Sequence, residues 1–333
     1  MSPREKYLAL FDLSTVRALE FGPADKPWIP RKTPGVRNID HLSTEDLRKE
    51  MESSPFYKAA DLCEIHFVND GRALKEILGD WTNLDLIAAS HVIEHLPDVL
   101  GWLQDLSAVL AAGGRIMLAV PNKHHTFDFF RQVTTLEDVI VNHLERRTKP
   151  SPRAILEHRA LATSSENRMS WNGDPNPLTF RHIHNFEEAY RLASEHLDEN
   201  SGYFDVHVSV FTPYSFVKLL IGLTENGFLP LELERIDPNG FEFLAVLKRC
   251  DPNERIADRI AALDSMAAKL PFQVEDYCAA EYVCLEPRFE HFGGMSETDL
   301  NKVQELEEQL AQLKGSASWR ITKPLRGLRR LFH

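Results

Sequence analysis

The sequence predicts an α/β protein with a doubly wound, mainly parallel β-sheet, and one stretch in the first half of the chain carries this prediction. Leu84–Ala89 is an apolar run of the length of a buried parallel strand, and it ends in the polar pair Ser90-His91. A helical apolar pattern begins after Pro97-Asp98, and Ala111–Gly114 is typical of the C-cap and turn that would end it. Arg115–Val120 then reads as a second buried strand. Strand, helix and strand form a βαβ unit, and ligands of such sheets bind where the strands end.

Three further strands are predicted ahead of this unit. They are the apolar runs Val16–Phe21, Val36–Ile39 and Ile65–Val68, and each is followed by turn-forming or polar residues. Between the second and third runs, Ser43 begins a sequence typical of a helix start, which predicts a helix over Leu47–Met51. Strands that alternate with helices in this way favour a parallel sheet.

An acidic residue ends or follows each of these three strands: Glu20, Asp40 and Asp70. Asp40 lies twenty residues beyond Glu20, which is the spacing at which an acid after a second strand meets the hydroxyl groups of a ribose. Each acid by itself is also what a solvated strand end carries. Three of them, after three successive strands of one series, favour a cofactor site.

These segments together resemble a known family. The series LEFGP, IDH, VNDG, LDLIAASHVIEHL and GGRIMLAVP resembles the class I S-adenosylmethionine-dependent methyltransferases. The resemblance runs over residues 16–121 and resumes over residues 211–249, where the helix Pro213–Thr224 and the strands Leu229–Arg235 and Phe241–Leu247 look like the end of that fold. It implies a Rossmann-like sheet of seven strands with an antiparallel last strand, and S-adenosylmethionine as the cofactor.

The resemblance also implies roles for the strand-end residues. The family has an acid followed by Gly-x-Gly-x-Gly, and this chain keeps the acid, Glu20, and the first glycine, Gly22. Glu20 would attract the ammonium group of the cofactor directly or through water. Asp40 would accept both ribose hydroxyls, Asp70 would receive the adenine amino group, and Ser90 and His91 would flank the sulfonium and its methyl group. The full predicted set of cofactor-binding residues is Glu20, Gly22, Pro23, Asp40, His41, Asp70, Gly71, Ser90 and His91.

Residues 122–210 are a departure from the minimal fold that is too long for a structureless loop. Helices are predicted at Thr135–Leu144 and Asn185–His196, and the position of the insertion suggests a lid or substrate-recognition region above the carboxyl ends of the strands. Eight of the fourteen histidines fall in this region. Arg181-His182 and His184 could form half a metal site, but no second cluster lies at ligand spacing, so surface hydrogen bonding is favoured and no metal is predicted.

The leading hypothesis for function is methyl transfer to an oxygen of a sugar or glycan intermediate. Such a reaction needs a base within hydrogen-bond reach of the acceptor hydroxyl. His91 is the first candidate because it leaves its strand beside the predicted methyl position, although a structural histidine is an equally good interpretation. His125 and His207 are the candidates from the insertion. Two alternatives stay open: a methyltransferase of another small-molecule acceptor, and a non-catalytic methyltransferase fold that serves as a scaffold.

Charge and composition bear on partners and compartment. The net charge of −12 argues against general nucleic-acid binding, which needs a basic surface. The four cysteines form no CxxC pair, which favours reduced thiols. No apolar run reaches the length of a membrane span. The protein is therefore predicted to be cytoplasmic.

The last part of the chain differs in composition from the rest. A helix is predicted over Ile256–Leu270 and a short amphipathic helix over Leu300–Leu313, while residues 314–333 hold six basic residues and no acidic one. Residues 316–326 resemble a tail found on bacterial glycosyltransferases and associated methyltransferases of surface-polysaccharide assembly. This resemblance implies polysaccharide-assembly proteins, or the inner face of the membrane, as partners.

The predicted organisation has four parts. Residues 1–121 form the cofactor-binding part, and residues 122–210 form the inserted lid. Residues 211–250 close the methyltransferase domain with a helix and a hairpin, and residues 251–333 form a helical and basic tail.

Overall fold

The structure is a computed structural model that describes residues 3–52, 57–198, 201–250 and 255–273. In chain order, the strands of the described residues are β1 (Ala18–Phe21), β2 (Val36–Asp40), β3 (Phe67–Val68), β4 (Leu84–Ser90), β5 (Leu110–Pro121), β6 (Thr163–Ser165), β7 (Phe180–His182), β8 (Leu231–Asn239) and β9 (Glu242–Arg249). The α-helices are α1 (Pro3–Leu8), α2 (Thr44–Met51), α3 (Leu74–Leu78), α4 (Val99–Val109), α5 (Leu136–Leu144), α6 (Pro152–Leu161), α7 (Phe186–Glu195), α8 (Pro213–Glu225) and α9 (Ile256–Ala267).

Seven of these strands form the central sheet, in the order β3-β2-β1-β4-β5-β9-β8. Neighbours from β3 to β5 pair in parallel, whereas β9 is antiparallel to both β5 and β8. The predicted fold class is confirmed: an α/β, Rossmann-like, doubly wound sheet of seven strands whose last strand is antiparallel. The strand order reverses between β1 and β4, and such a reversal opens a crevice at the carboxyl ends of the strands.

Both faces of the sheet are covered, which explains the composition of β4. Ile87 packs into the larger apolar cluster, which includes residues of α4 and α8. Its neighbour Leu86 packs into a second cluster on the other face, together with Tyr7 and Trp28. A strand that is buried on both faces loses the alternation of apolar and polar residues, so residues 84–89 read as one continuous apolar run.

Side-chain caps start two of the core helices at the predicted places. Asp98 accepts a hydrogen bond from Gly101 N at 2.8 Å and begins α4. Gly101 leaves room for this cap, because a Cβ there would lie 2.4 Å from Asp98 Oδ2. Thr212 caps α8, and Pro213 occupies the first turn, where its missing N–H costs nothing. The local sequence therefore determines where both helices begin.

The predicted C-cap and turn at Ala111–Gly114 is wrong, because these residues belong to β5. The chain is extended from Leu110 onward, as soon as α4 ends. Leu84 of β4 pairs with Leu110, and Leu86 pairs with Arg115, so four residues of β5 face one residue of β4 between these pairs. Gly113, with a φ of +73°, accommodates this bulge.

The inserted residues 122–210 fold into α5, α6, the hairpin of β6 and β7, and α7. The two predicted helices are present, because Thr135 caps α5 and Asn185 caps α7. Asn122 and Phe211, at the two ends of the insertion, form a β-bridge just beyond β5. The insertion therefore leaves and rejoins the domain at the carboxyl edge of the sheet.

The helix predicted over Ile256–Leu270 is present as α9, which ends at Ala267 and packs on the core through Leu263. The predicted helix Leu300–Leu313 and the basic residues 314–333 lie outside the described residues. None of the described helices has the length and apolar character that a membrane crossing requires.

Candidate active site

The predicted site segments meet at the carboxyl edge of the parallel strands. β1 lies between β2 and β4, and the register aligns the ends of all three strands. Gly22, Asp40 and Ser90 therefore leave the sheet side by side. The loop that carries Asp70 is tied to the same edge, because Asn69 N donates to Asp40 O at 2.7 Å.

Glu20 is only 2% exposed and holds the loop that follows β1. One of its carboxylate oxygens accepts a hydrogen bond from Trp28 N at 2.5 Å, and the other accepts one from Ile29 N at 3.0 Å. Burial raises the pKa of Glu20 to about 7, although these N–H donors act in the opposite direction. Gly22 and Ala24 turn the loop with φ values of +56° and +43°. Glu20 thus shapes the loop, and its contact with the ammonium group of a cofactor stays a prediction.

Asp40 and Asp70 differ in their existing partners. The Asp40 side chain is 11% exposed, and its Oδ1 lies 2.7 Å from His41 N and 2.6 Å from His41 Nδ1. The hydrogen bond to Asp40 raises the pKa of His41. Asp70 lies beside Gly71 on an exposed turn and pairs with Arg72 at 2.8 Å; hydrogen bonds from Arg72 lower the pKa of Asp70. Asp70 is therefore already paired in this structure, and its contact with the adenine amino group stays a prediction.

An ion-pair network that sequence reasoning missed covers the end of β4. Arg4, on α1, donates to the two oxygens of Glu242 at 3.2 and 2.7 Å and to Ser90 Oγ at 3.0 Å. Glu242 opens β9, is 2% exposed, and lies 2.9 Å from His91 Nε2. Burial alone would raise the pKa of Glu242, but hydrogen bonds from His91 and Arg4 lower it to about 2. A glutamate at the start of the apolar run of β9 is the signal that could have pointed to this network.

His91 sits in the left-handed region, with a φ of +55°, and its N–H donates to Ala119 O at 2.9 Å. Its ring stacks on Phe241. Burial alone would lower the pKa of His91, but Glu242 and Glu94 raise it to about 9. A histidine whose pKa lies above 7 is mainly protonated at neutral pH. In this arrangement His91 carries a proton, which favours the structural interpretation over the role of a base.

The segment that returns from the insertion reaches the turn after β4. Val208 N and Ser209 N donate to Glu94 O at 2.7 and 3.0 Å. His207 is 8% exposed, and its Nδ1 lies 2.5 Å from Asp128 Oδ2. Burial alone would raise the pKa of Asp128. The neighbouring side chains of His207 and Arg131 have the opposite effect and hold this pKa well below its usual range. Since Nδ1 of His207 is engaged by Asp128, Nε2 is the nitrogen that can act on a ligand.

His207 thereby joins Glu94 and His95, which lie in a 3₁₀ turn after β4. His125, the other histidine predicted from the insertion, lies in the turn after β5, where its carbonyl accepts a hydrogen bond from Trp171 N at 2.9 Å. Sequence reasoning did not include Glu94 or His95 among the predicted site residues. The HxxEH spacing of residues 91–95 is the signal that could have found both.

The strand order, the reversed last strand and the polar residues at the strand ends define a Rossmann-like domain, and domains of this kind bind ligands at the carboxyl edge of the sheet. Residues 6–189 match the model of a family described as "Methyltransferase domain". Because this match covers more than half of the 333 residues, the chain belongs to that family. The predicted enzyme class, a methyltransferase, and the predicted cofactor, S-adenosylmethionine, are thereby confirmed.

Solved structures with a similar fold include three methyltransferases described as S-adenosylmethionine-dependent. The one from Aquifex aeolicus is 14% identical, with a TM-score of 0.37 over 74% of this chain and 90% of that chain. A putative one from Listeria monocytogenes is 12% identical, with a TM-score of 0.38 over 74% and 97%. One from Mesorhizobium loti is 11% identical, with a TM-score of 0.37 over 74% and 96%. No curated protein matches this chain. Likenesses this distant give no information on the acceptor.

Proposed function

We propose that this chain is an S-adenosylmethionine-dependent O-methyltransferase whose acceptor is a sugar or glycan intermediate of surface-polysaccharide assembly. The observation that carries the oxygen acceptor is the group of Glu94, His95 and His207, which the inserted region completes beside the end of β4. Imidazole and carboxylate groups suit an acceptor hydroxyl that has to lose a proton. The resemblance of residues 316–326 to tails of polysaccharide-assembly enzymes supports the glycan.

Residues at the ends of β1, β2 and β4 fit the cofactor. Gly22 is exposed and left-handed, and a Cβ there would only touch Val92, at 3.5 Å, so a ligand can approach this backbone closely. Asp40 would accept the ribose hydroxyls, and Ser90 would lie near the sulfonium. When bound, S-adenosylmethionine supplies a methyl group on a positively charged sulfur.

Positioning and deprotonation of the acceptor hydroxyl fall to the residues of this chain. His91 is the weaker candidate, because its pKa of about 9 keeps it protonated at neutral pH. His207 is the stronger one, because Asp128 engages its Nδ1 and leaves Nε2 for a ligand, and because the residue lies in the group with Glu94 and His95. We therefore assign the proton loss of the acceptor to the Glu94 group, with His125 as the remaining candidate from the insertion.

A non-catalytic scaffold is the second candidate function, and one observation favours it. The carboxylates of Glu20 and Asp70 are both already bound to groups of this chain. Glu20 accepts a hydrogen bond from the backbone N–H of Trp28, and Asp70 pairs with the side chain of Arg72. A fold that has lost its cofactor would show such acids. A methyltransferase of another small-molecule acceptor would use the same residues and differ only in its product.

Two measurements test the proposal. Calorimetry of the full chain with S-adenosylmethionine and with S-adenosylhomocysteine should show saturable binding of both ligands. No binding of either would favour the scaffold. Mass spectrometry of surface glycans from cells with and without the protein should then reveal a mass difference of one methyl group, and unchanged glycans with intact cofactor binding would favour another acceptor.

A further inference from the structure

Glu94, His95 and His207 form a partly buried imidazole–carboxylate cluster in which one ligand atom from each residue lies within 4.8 Å of the others. Glu94 is 1% exposed and His207 is 8% exposed. Within the cluster, Glu94 Oε1 lies 3.8 Å from His95 Nε2, and the rings of His95 and His207 meet edge to face at 4.8 Å. The three residues come from two parts of the chain, because the turn after β4 supplies two of them and the insertion supplies the third.

Both imidazoles are oriented by a carboxylate behind them. Asp205 Oδ1 lies 2.7 Å from His95 Nδ1, and Asp128 Oδ2 lies 2.5 Å from His207 Nδ1. Because a carboxylate engages each Nδ1, Nε2 is the nitrogen that each ring has left for a ligand, and His95 Nε2 lies 3.8 Å from Glu94 Oε1. Histidines that bind metals almost always donate their other ring N–H to such a partner, which orients the ring and makes the ligating nitrogen more basic.

The carboxylate of Glu94 completes the cluster but is not satisfied by hydrogen bonds. Neither of its buried oxygens accepts a hydrogen bond of ordinary length from the described residues, although Oε1 forms a longer ion pair with His91, whose Nδ1 lies 3.5 Å away. Burial alone would raise the pKa of Glu94, but the neighbouring imidazoles of His91, His207 and His95 lower it. A buried carboxylate without hydrogen bonds is costly, and the partly exposed ring of His91 at 3.5 Å compensates this cost less fully than a cation bound directly to the oxygens would.

We propose that Glu94, His95 and His207 bind one divalent transition-metal ion, of the zinc or manganese kind. Two imidazoles and one carboxylate suit such ions better than Mg²⁺ or Ca²⁺, which prefer oxygen ligands throughout. Metal–ligand bonds of about 2.0–2.2 Å place ligand atoms roughly 3–3.5 Å apart, so the side chains have to move inward by about 1 Å on binding. Three protein ligands leave at least one coordination position open.

The open position gives the ion a role that rests on the proposed function. An acceptor hydroxyl that binds there would have its pKa lowered by the ion, so that its O–H bond breaks and the proton passes to water. With the ion bound, His207 would serve as a metal ligand instead of as the base. The oxygen would then be held in place for methyl transfer. The sequence-based prediction of no metal site considered Arg181–His184 and did not include this cluster.

Metal binding to the full chain tests the site without any acceptor. After treatment with EDTA and removal of the chelator, calorimetry with Zn²⁺, Mn²⁺ or Mg²⁺ should show one equivalent of Zn²⁺ or Mn²⁺ bound more tightly than Mg²⁺. Loading with Co²⁺ should give visible absorption bands. Glu94→Gln should weaken binding at least about 100-fold. His143→Gln is the matched control, because it removes another imidazole that pairs with a carboxylate, Asp98 at 3.0 Å, and should leave the affinity unchanged.

A further variant keeps the metal site testable even if Glu94→Gln does not fold. Asp205 orients His95 from an exposed position, so Asp205→Asn should stay folded and weaken metal binding about 10- to 100-fold. No bound equivalent in the unmodified chain, or equal affinity in Asp205→Asn and unmodified protein, would overturn the site. Cofactor binding measured in EDTA distinguishes the proposed methyltransferase activity from the proposed metal site. If the protein binds metal but not the cofactor, the proposed methyltransferase activity is wrong. If metal-free protein still methylates the acceptor in EDTA, the proposed role of the metal is wrong.

Discussion

The cofactor side and the acceptor side of the site differ in how their acidic side chains are satisfied. On the cofactor side, both oxygens of Glu20 accept backbone N–H groups, and Asp70 pairs with Arg72. On the acceptor side, the carboxylate of Glu94 accepts no hydrogen bond of ordinary length from the described residues, while two imidazoles face it. A satisfied acid stabilises the fold, whereas an unsatisfied buried acid costs free energy that a ligand can recover. The acceptor side is therefore the place where binding should change the protein most.

The two sides also come from different parts of the sequence. The cofactor side consists of strand ends that follow one another along the chain, so its geometry comes from the sheet itself. The acceptor side depends on contacts between distant residues, such as His95 with Asp205 and His207 with Asp128. Changes on the acceptor side should therefore affect turnover, and changes on the cofactor side should affect cofactor affinity.

The largest effect is expected at His207. His207→Gln removes the imidazole that the insertion contributes, and turnover should fall by about two to four decades while the cofactor affinity changes only a few-fold. His196→Gln is the control, since it removes another histidine of the insertion, one whose Nδ1 lies 2.7 Å from Leu192 O. Steady-state kinetics and calorimetry on both variants separate the two sides. If His207→Gln keeps near wild-type turnover, the base is not His207, and His91 or His125 becomes the candidate.

The next effect concerns stability at the border between the two sides. Glu242 has a pKa of about 2 in the folded protein against an ordinary value of 4.5. Because the folded value is the lower one, the stabilisation is present above pH 4.5 and is lost as the pH falls towards 2. The shift corresponds to about 3 kcal/mol. Glu242→Gln should lower the free energy of unfolding at pH 7 by about this amount and flatten its pH dependence below pH 4.5.

The control for Glu242 is an exposed pair on the same hairpin. Glu232 lies 2.8 Å from Lys248, and both side chains are partly open to solvent. Glu232→Gln should therefore cost at most about 1 kcal/mol. Denaturant unfolding at pH 7 and pH 4 measures both variants. Equal small losses for the two glutamates would mean that the network around Arg4 contributes no more than a surface ion pair.

The same division between local and distant contacts explains what the sequence could predict. Residues 84–89 identify a strand because both faces of the sheet are covered, and Asp98 identifies a helix start because a cap is a local contact. The network of Arg4 with Glu242 joins residues 238 positions apart, and its local signal, a glutamate at the start of the apolar run of β9, does not identify the partner. The start of β5 was missed because Ala111–Gly114 matches a helix end in composition, while pairing with β4 makes it extended.

A smaller effect on cofactor affinity is expected at the strand-end acids. Asp40→Ala should weaken the binding of S-adenosylmethionine at least about tenfold, because it removes charge-assisted hydrogen bonds to the ribose that are worth roughly 1.5–3 kcal/mol each at most. Asp70→Ala should change the affinity less than threefold, roughly below 0.7 kcal/mol, since Asp70 is exposed and already paired with Arg72. Calorimetry on both variants makes the comparison, with circular dichroism to check the fold. Unchanged affinity in Asp40→Ala would remove the assignment of the ribose site.

The smallest effect on either side of the site is expected from the basic residues 314–333. The described residues already complete the sheet and cover it with α8 and α9, so deletion of this segment should leave cofactor binding and methylation of a soluble acceptor unchanged.

The six cations should instead bind an anionic surface, with about 1 kcal/mol from each one that lies near it. A full-length variant with glutamine at these six positions keeps the length and removes the charge. Both variants should lose sedimentation with anionic vesicles and modification of the native glycan. Loss of cofactor binding or unfolding in the deletion would instead make this segment part of the core, and the proposed localisation at the inner membrane face would be wrong.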